Sequence, residues 1–348
     1  MKRFVFLFGL FWIISCEDNS RLPDESVLDW TNLDLSQPFE TGRTDSEGID
    51  EDKLTDGIAA AMQLANFYSI AIIYKGRLVT EDYKFGNSNT KYQIWSVTKS
   101  FLSALTGIAI DKGVLTDDYQ TLASFYPNMV DSVKGQITVS QLLSMSSGIA
   151  DNTSYMSEEN PLQFILDKDL LYSPGTWWNY TSAGTHVLSY IFSASTNESA
   201  KSFGEKYLFS KLGIIDYTWS QDTYGVSNGG FGLYLQLKDM AKFGQLFLQE
   251  GVSAGEEIIS SEWVKKSTEM IVQFNQKTNG YGYLWWIRMN QGVKIYFAAG
   301  YGGQYIMVVP SKALVVAITS SSLYSGEYGE NLNRIFYEEI VGSFALIN

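Results

Sequence analysis

The sequence predicts an α+β fold, in which helices flank an antiparallel sheet and a mainly helical lobe is inserted between the two parts of that sheet. Strand patterns lie at both ends of the chain, whereas the residues between them show helical spacing and loops. These patterns divide the chain into a sheet lobe, residues 52–115 and 225–348, and a mainly helical lobe, residues 116–224. The chain has 348 residues, of which 45% are hydrophobic, so it is long enough to form a large core and two lobes.

Each element follows from hydrophobic periodicity and from turn residues. Apolar side chains at three- and four-residue spacing predict helices over 54–67, 96–112, 140–144, 161–167, 185–193, 201–208, 237–249, 261–269 and 330–341. Apolar runs between turn residues predict strands over 69–74, 77–83, 281–287, 294–298, 304–309 and 314–319. Lys75-Gly76 joins the first two strands as a hairpin, and short turns separate the last four, which predicts an antiparallel meander.

The first 16 residues resemble a lipoprotein-type signal peptide. Lys2 and Arg3 precede an apolar run over 4–14 that is too short to span a bilayer. The run ends at Cys16, the only cysteine of the chain, which we expect to be lipidated and to become the mature N-terminus. An ordinary signal peptide or a buried free thiol is the alternative. The favoured interpretation predicts an exported cell-envelope lipoprotein, on the periplasmic or surface side of a membrane and attached to it through Cys16.

Residues 17–51 are acidic and polar, and they contain Pro23 and Pro38 but few periodic apolar residues. This composition predicts an acidic tether that separates the folded part from the lipid, with 28–35 as the one candidate for a short docked strand.

Charge and composition exclude several classes of function. The formal net charge is −13 and no basic stripe is present, so nucleic acid is not an expected partner. One histidine and one cysteine cannot form a nitrogen or sulfur metal cluster, and no phosphate-binding glycine motif is present. We therefore expect no metal and no cofactor. The sequence makes no prediction about the oligomeric state.

Ser96 and Lys99 stand at the start of an apolar helical run, one turn apart and therefore on one face. A helix N-terminus favours developing negative charge, and a lysine that is buried there loses its proton more easily and can act as a base. This hydroxyl–amine pair can carry out acyl transfer without histidine. A second Ser-x-x-Lys, Ser88 to Lys91, lies in a polar loop with no apolar helix behind it, so we do not expect it to be catalytic.

Two Gly-x-Ser-x-Gly segments, centred on Ser227 and Ser253, match another hydrolase motif. That motif needs a histidine later in the chain, whereas the only one, His186, precedes both segments. We therefore expect His186 to have a structural role. A set of aromatic residues is expected mostly in the core, with an aromatic-lined acyl pocket as the alternative: Trp177, Trp178, Tyr281, Tyr283, Trp285 and Trp286.

The order of several motifs resembles the serine hydrolase family related to class C β-lactamases, which includes DD-peptidases, family VIII-type esterases and 6-aminohexanoate-dimer hydrolases. The resemblance covers about 52–344. The motifs that carry it are Ser96-Val97-Thr98-Lys99, Leu142-Leu143-Ser144-Met145-Ser146-Ser147-Gly148, Pro174-Gly175-Thr176, Tyr180-Thr181-Ser182, Gly229-Gly230-Phe231-Gly232 and Ala298-Ala299-Gly300-Tyr301-Gly302-Gly303. The resemblance implies a β-lactamase/transpeptidase-like fold.

Carried over residue by residue, the resemblance implies an acyl-enzyme on Ser96, with Lys99 as the proton acceptor and Tyr180 as the relay to the leaving group. Tyr180 would act through a phenol whose pKa a nearby ammonium lowers. The backbone N–H groups of Ser96 and Tyr301 would form the oxyanion hole. The implied substrate-binding residues are Ser182, Gly300 and Gly303.

The sequence departs from the family pattern where relatives have Lys-Thr-Gly or His-x-Gly, because it has Ala298-Ala299-Gly300. No cation stands there to bind a substrate carboxylate, which favours an uncharged ester or amide substrate. Ser182 stands where the family often has asparagine. The alternatives are a penicillin-binding DD-peptidase or β-lactamase and, outside enzymes, a slowly deacylating sensor or binding protein.

Overall fold

The computed structural model describes residues 28–274, 278–323 and 333–347. It confirms the α+β class and the antiparallel sheet. The predicted signal peptide with Cys16, and residues 330–332 of the last predicted helix, lie outside the described residues.

The main sheet has eight strands in the described part of the chain, and every neighbouring pair in it is antiparallel. The strands of the structure are β1 (Phe67–Tyr74), β2 (Arg77–Tyr83), β3 (Tyr92–Gln93), β4 (Thr218–Trp219), β5 (Leu233–Leu235), β6 (Val252–Ser253), β7 (Glu256–Glu257), β8 (Val272–Gln273), β9 (Asn279–Tyr281), β10 (Trp286–Asn290), β11 (Val293–Gly300), β12 (Gln304–Val309) and β13 (Leu314–Ser320). The main sheet has the order β2-β1-β13-β12-β11-β10-β9-β8. The hairpin and the C-terminal meander therefore form one sheet, because β13 pairs with β1.

The α-helices of the structure are α1 (Glu51–Gln63), α2 (Thr98–Asp111), α3 (Leu122–Phe125), α4 (Val139–Leu143), α5 (Pro161–Leu166), α6 (Ser182–Thr196), α7 (Ala200–Gly204), α8 (Leu237–Leu248) and α9 (Ser261–Ser267). Within residues 28–274, 278–323 and 333–347, 3₁₀ turns cover Trp95–Val97, Pro127–Met129, Lys134–Gln136, Thr153–Ser157, Ser210–Leu212, Pro310–Lys312 and Val341–Ser343, and π-helical turns cover Glu205–Phe209 and Asn333–Ile340. No described helix combines the length and the apolar character that a membrane-spanning helix needs.

The main sheet is covered on both faces. In β1, Ala71 and Ile73 belong to the core that contains α2, α8 and the helical lobe, whereas Ile70 and Ile72 face the core formed with α1 and the C-terminal turns. Helix α8 approaches the sheet closely because Gly244 has no side chain: a Cβ there would lie 2.6 Å from Cγ1 of Val315. The buried helix α2 is thus held between the sheet and the helical lobe.

The segment that composition marks as a tether is docked on the fold over its described part, residues 28–50. Leu35 is buried in the main core, and its N–H donates to Oγ of Ser253 at 2.9 Å. Beside β2, the N–H of Leu78 donates to the carbonyl of Glu40, and the Arg77 guanidinium pairs with the Glu40 carboxylate at 2.6 Å. The predicted docking of 28–35 is thus observed, although these residues form no strand and the contacts continue to residue 50.

The predicted strand 281–287 is divided by a turn between β9 and β10. Leu284 has φ +61°, and its N–H donates to the carbonyl of Leu143 at 3.0 Å. The N–H of Tyr283 donates to the carbonyl of Ser267 at 2.9 Å. Contacts with α4 and α9 therefore replace the strand pairing that the apolar run predicts. The small sheet β3-β5-β4 is another element that the sequence patterns did not predict.

Candidate active site

Ser96 lies in the tight turn Trp95–Val97 that leads into α2. Trp95, directly before it, has φ +49°, a left-handed conformation that costs a non-glycine residue on the order of 1–3 kcal/mol. Contacts with β5 maintain this turn: the N–H of Ile94 donates to the carbonyl of Leu233, and the N–H of Leu233 donates to Oγ1 of Thr98. The turn leaves Ser96 partly exposed at the start of a buried helix.

The amine of Lys99 is buried, with 1% of the residue exposed. Its Nζ donates to Oγ of Ser96 at 2.9 Å, to Oγ of Ser182 at 3.1 Å and to the carbonyl of Gly230 at 2.7 Å. The first contact follows from the three-residue spacing, whereas the other two come from distant parts of the chain. The structure therefore brings the predicted nucleophile and its predicted base into direct contact.

Burial lowers the pKa of Lys99 from its ordinary value to about 7, and the negative charge of Asp151 acts against this shift. No carboxylate contacts Nζ in the described structure, so the ammonium has no direct counter-ion there. A substantial fraction of the amine is therefore neutral near pH 7 and can accept the Ser96 proton.

Tyr180 lies beside this pair, with the centre of its ring 4.9 Å from Nζ of Lys99. Burial raises the pKa of its phenol above the ordinary value; a hydrogen bond with Ser96 lowers this pKa and the charge of Asp151 raises it. The direction is opposite to the lowered pKa that was expected, because desolvation of the phenolate has the largest effect. Tyr180 is therefore a protonated phenol in the resting site, able to donate a proton.

Aromatic side chains form the wall behind Tyr180. The ring of Trp286 stacks on it at 5.9 Å, and the ring of Tyr281 meets it edge to face at 6.4 Å. Trp285, which precedes Trp286 in the sequence, is fully buried, whereas Trp177, which precedes Trp178, is 63% exposed. The core prediction is thus confirmed for Tyr281 and Trp285, whereas Trp286 lies beside the site.

Asp151 was not identified by the sequence analysis. Its Oδ1 accepts hydrogen bonds from the backbone N–H groups of Ser182, at 2.6 Å, and Ala183, at 3.3 Å, at the start of α6. A carboxylate at this position satisfies unpaired donors and the positive end of the helix dipole. Its side chain is exposed, which brings a negative charge to the mouth of the site. No sequence spacing pointed to this residue, because the contact joins two segments 31 residues apart.

The end of β11 forms the other side of the site. A Cβ on Gly300 would lie 2.3 Å from the carbonyl oxygen of Ile94, so the strand can approach the Ser96 turn only with glycine there. The ring of Tyr301 meets that of Trp95 at 5.5 Å. Gly303 has φ +99° and its N–H donates to the carbonyl of Gly300, which closes a tight turn at this edge. The assignment of the Ser96 and Tyr301 N–H groups to an oxyanion hole stays a prediction.

The other sequence candidates have structural partners. Lys91 of the second Ser-x-x-Lys pairs with Asp216 at 2.5 Å. Ser227 is buried and its Oγ accepts from the N–H of Lys201, and Ser253 is the partner of Leu35 described above. His186 is fully buried and contacts Asp222. The described structure places none of these groups in contact with Ser96 or Lys99.

Known proteins are similar to this chain in sequence or in fold. A 6-aminohexanoate-dimer hydrolase from Paenarthrobacter ureafaciens is 25% identical over 218 residues, which cover 56% of this chain and 55% of that protein, so the match spans about half of this relative. A class C β-lactamase from Rhodobacter sphaeroides has a TM-score of 0.68 and 16% identity, and it covers 84% of this chain and 99% of its own. A D-stereospecific amidohydrolase from Streptomyces has a TM-score of 0.68 and 15% identity, with the same coverage.

The similarity to these solved structures establishes a β-lactamase/transpeptidase-like fold. The family model described as Beta-lactamase matches residues 58–336, which include Ser96, Lys99 and Tyr180. The chain therefore belongs to the Beta-lactamase family, whose members named here are hydrolases.

Proposed function

We propose that this protein is a serine hydrolase that cleaves an ester or amide through an acyl-enzyme on Ser96. The observation that carries the proposal is the contact between Nζ of Lys99 and Oγ of Ser96 at 2.9 Å, made by a buried amine whose pKa is about 7. A nucleophile and a base within hydrogen-bond distance are the minimum arrangement for covalent acyl transfer.

In acylation, neutral Lys99 accepts the Ser96 proton while Oγ forms a bond to the substrate carbonyl carbon. The resulting oxyanion is held by the N–H groups of Ser96 and Tyr301, and removing one such donor raises the barrier by about 3–4 kcal/mol. The phenol of Tyr180 gives its proton to the leaving alcohol or amine as the carbon–oxygen or carbon–nitrogen bond breaks, and it regains a proton from Lys99. Water then reverses the sequence on the acyl-enzyme.

The expected substrate carries no carboxylate next to the bond that is cleaved. The segment 298–300 of β11, which lies against the Ser96 turn, consists of two alanines and a glycine and offers no cation. The exposed carboxylate of Asp151 at the mouth adds negative charge. Both features disfavour an anionic β-lactam or a peptide carboxylate and support a neutral acyl group.

Labelling with a fluorophosphonate tests the nucleophile. We expect wild-type protein to be labelled on Ser96 and the Ser96→Ala variant to remain unlabelled while keeping its thermal unfolding temperature. Ser88→Ala, in the second Ser-x-x-Lys, is the matched control and should label normally. Labelling of Ser96→Ala at the wild-type rate would show that the nucleophile lies elsewhere.

A substrate panel then separates the alternatives: p-nitrophenyl esters, aminoalkanoate amides, D-Ala-D-Ala peptides and a chromogenic cephalosporin. Faster turnover of the cephalosporin or the D-Ala-D-Ala peptide than of any ester or aminoalkanoate amide would favour the β-lactamase or DD-peptidase alternative. A stable acyl-enzyme with no turnover of any substrate would identify a sensor.

We also propose that the protein is exported and attached to a membrane by a lipid on Cys16. Support comes from the sequence alone: Lys2 and Arg3, the apolar run over 4–14 and the single cysteine. Metabolic labelling with a fatty acid should modify the wild-type protein and leave Cys16→Ser unmodified and released from the membrane fraction. Equal membrane retention of both proteins would contradict this assignment.

A further inference from the structure

A second polar cluster lies one helical turn behind the site and is centred on His186 and Asp222, whose side chains are both fully buried. Nε2 of His186 lies 3.0 Å from Oδ2 of Asp222, and the hydroxyl of Tyr190 donates to the same oxygen at 2.6 Å. The other oxygen accepts from the backbone N–H groups of Tyr224 and Val226, each at 2.9 Å. Burial alone would raise the pKa of Asp222. The hydrogen bonds have the opposite effect and hold this pKa below its ordinary value, so the carboxylate is ionised.

The carboxylate determines which imidazole nitrogen carries the proton. An ionised Asp222 can only accept, so Nε2 of His186 must donate to it. Burial lowers the pKa of His186, which favours the neutral ring, and Nδ1 then has a free lone pair. The backbone N–H of Gly229 points at Nδ1, at 3.4 Å. Tyr155 stacks on the imidazole at 4.4 Å with 18° between the rings, which fixes its plane.

The segment 228–230 connects His186 to the base. Its two glycines pack directly on α6: a Cβ on Gly229 would lie 2.1 Å from the carbonyl oxygen of Thr185, and one on Gly230 would lie 2.8 Å from Cβ of Ser182. Oδ1 of Asn228 accepts from the N–H of Gly230 at 2.9 Å. The carbonyl of Gly230 then accepts from Nζ of Lys99 at 2.7 Å, the shortest of that amine's three contacts.

One face of α6 therefore contacts the Lys99 amine by two routes. Ser182 touches the amine itself, and His186, one turn later on the same face, binds the segment whose carbonyl touches it. We propose that His186, oriented by Asp222, is a positioning residue that keeps the Gly230 carbonyl against the Lys99 amine. The inference rests on the proposed function, since it assigns His186 a role in positioning the Lys99 amine, the base of the acylation step.

Two substitutions of His186 each preserve one of the two hydrogen bonds of the imidazole and remove the other. Asparagine places an oxygen near the position of Nδ1, so His186→Asn keeps an acceptor for Gly229. Glutamine places an amide nitrogen near Nε2, so His186→Gln keeps the donor to Asp222 and loses that acceptor. Tyr190→Phe is the matched control, because it removes one buried hydrogen bond to the same carboxylate, while His186 and the backbone N–H groups of Tyr224 and Val226 still hold that carboxylate in place.

The test measures the second-order rate of Ser96 acylation by a fluorophosphonate, kcat and KM for a p-nitrophenyl ester, and the unfolding temperature. For His186→Gln we expect acylation and kcat to fall by about 10- to 100-fold at nearly constant KM, the size of effect that misplacement of a catalytic group produces. His186→Asn should recover most of the rate. Tyr190→Phe should unfold at a lower temperature but acylate within about twofold of wild type.

Acylation of folded His186→Gln at the wild-type rate would overturn the inference, and so would an equal loss in Tyr190→Phe, which would show a merely structural role. If wild-type protein does not label on Ser96 at all, the proposed function fails instead. A separate measurement needs no catalysis: His186 is the only histidine, so its ¹⁵N spectrum in protein purified without a histidine tag is unambiguous. We expect a neutral ring protonated on Nε2 at pH 7. A cationic ring or protonation on Nδ1 would refute the positioning mechanism even if His186→Gln does not fold.

Discussion

The pH dependence of acylation gives the sharpest test of the proposed base. Lys99 has a pKa of about 7 in the folded protein against an ordinary value of 10.5. With an ordinary pKa, only about 0.03% of the amine would be neutral at pH 7, whereas a pKa of about 7 makes about half of it neutral. Burial thus increases the population of the competent base about 1,500-fold at this pH.

The assay is the rate of Ser96 acylation by a fluorophosphonate between pH 5.5 and 9, because this reagent has no group that titrates in that range. We expect the rate to rise about tenfold per pH unit below 7 and to become level above about pH 8, since acylation needs the neutral amine. Thermal unfolding at each pH is the control for loss of structure.

Asp151→Asn provides a matched variant, because asparagine keeps an acceptor for the start of α6 and removes only the charge. The Asp151 carboxylate raises the pKa of Lys99, so its removal should move the midpoint of the profile to lower pH. A wild-type rate that still rises about tenfold per pH unit up to pH 9, or a shift of the midpoint to higher pH in Asp151→Asn, would refute the assignment of Lys99 as the base.

Three further predictions concern single side chains. Tyr180→Phe should slow turnover of a p-nitrophenyl ester by about 10²–10⁴-fold, because it removes the phenol that transfers the proton. Gly300→Ala should slow Ser96 labelling and lower the unfolding temperature, because the added carbon lies 2.3 Å from the backbone oxygen of Ile94. Lys99→Met should raise the free energy of unfolding at pH 7 by about 2 kcal/mol: a 3.5-unit pKa shift corresponds to about 5 kcal/mol, and three lost hydrogen bonds offset about 3 kcal/mol.

Each of these variants has a control in the same chain. Tyr281→Phe removes only the hydroxyl of a ring that packs on Tyr180, so turnover should stay within about twofold of the wild-type rate. Gly113→Ala adds a carbon at φ +69° with no atom within 4 Å, so it should lower stability without slowing labelling. Lys91→Met removes a surface ion pair and should change stability by less than about 1 kcal/mol. If a control changed turnover, Ser96 labelling or stability as much as its variant does, the physical reason given for that variant would be contradicted.

The sign of the stability change at Lys99 is itself testable with urea at two pH values. The folded pKa is lower than the unfolded one, so between pH 7 and 10.5 the unfolded chain binds more protons and wild-type stability rises with pH. Since stability changes by about 1.4 kcal/mol per pH unit in this range, the advantage of Lys99→Met should disappear near pH 8.5 and be reversed by about pH 9.5. A constant advantage would show that the lysine does not titrate with folding.

The sequence by itself determined the features that depend on local spacing. Ser96 and Lys99 meet because they are one helical turn apart, and the hairpin of β1 and β2 follows from two apolar runs around Lys75-Gly76. The apolar periodicity of α2 predicted its burial, and the order of motifs along the chain predicted the family.

Only the tertiary structure decided what surrounds that pair. The Gly230 carbonyl reaches Lys99 from 131 residues away, and Asp151 caps a helix that begins 31 residues later. The apolar run at 281–287 is interrupted by a turn because distant backbone groups pair with Tyr283 and Leu284, and the acidic N-terminal segment docks because Leu35 is buried in the core. Such contacts depend on how the whole chain closes, and the burial that results, rather than any residue type, sets the pKa values on which the proposed chemistry depends.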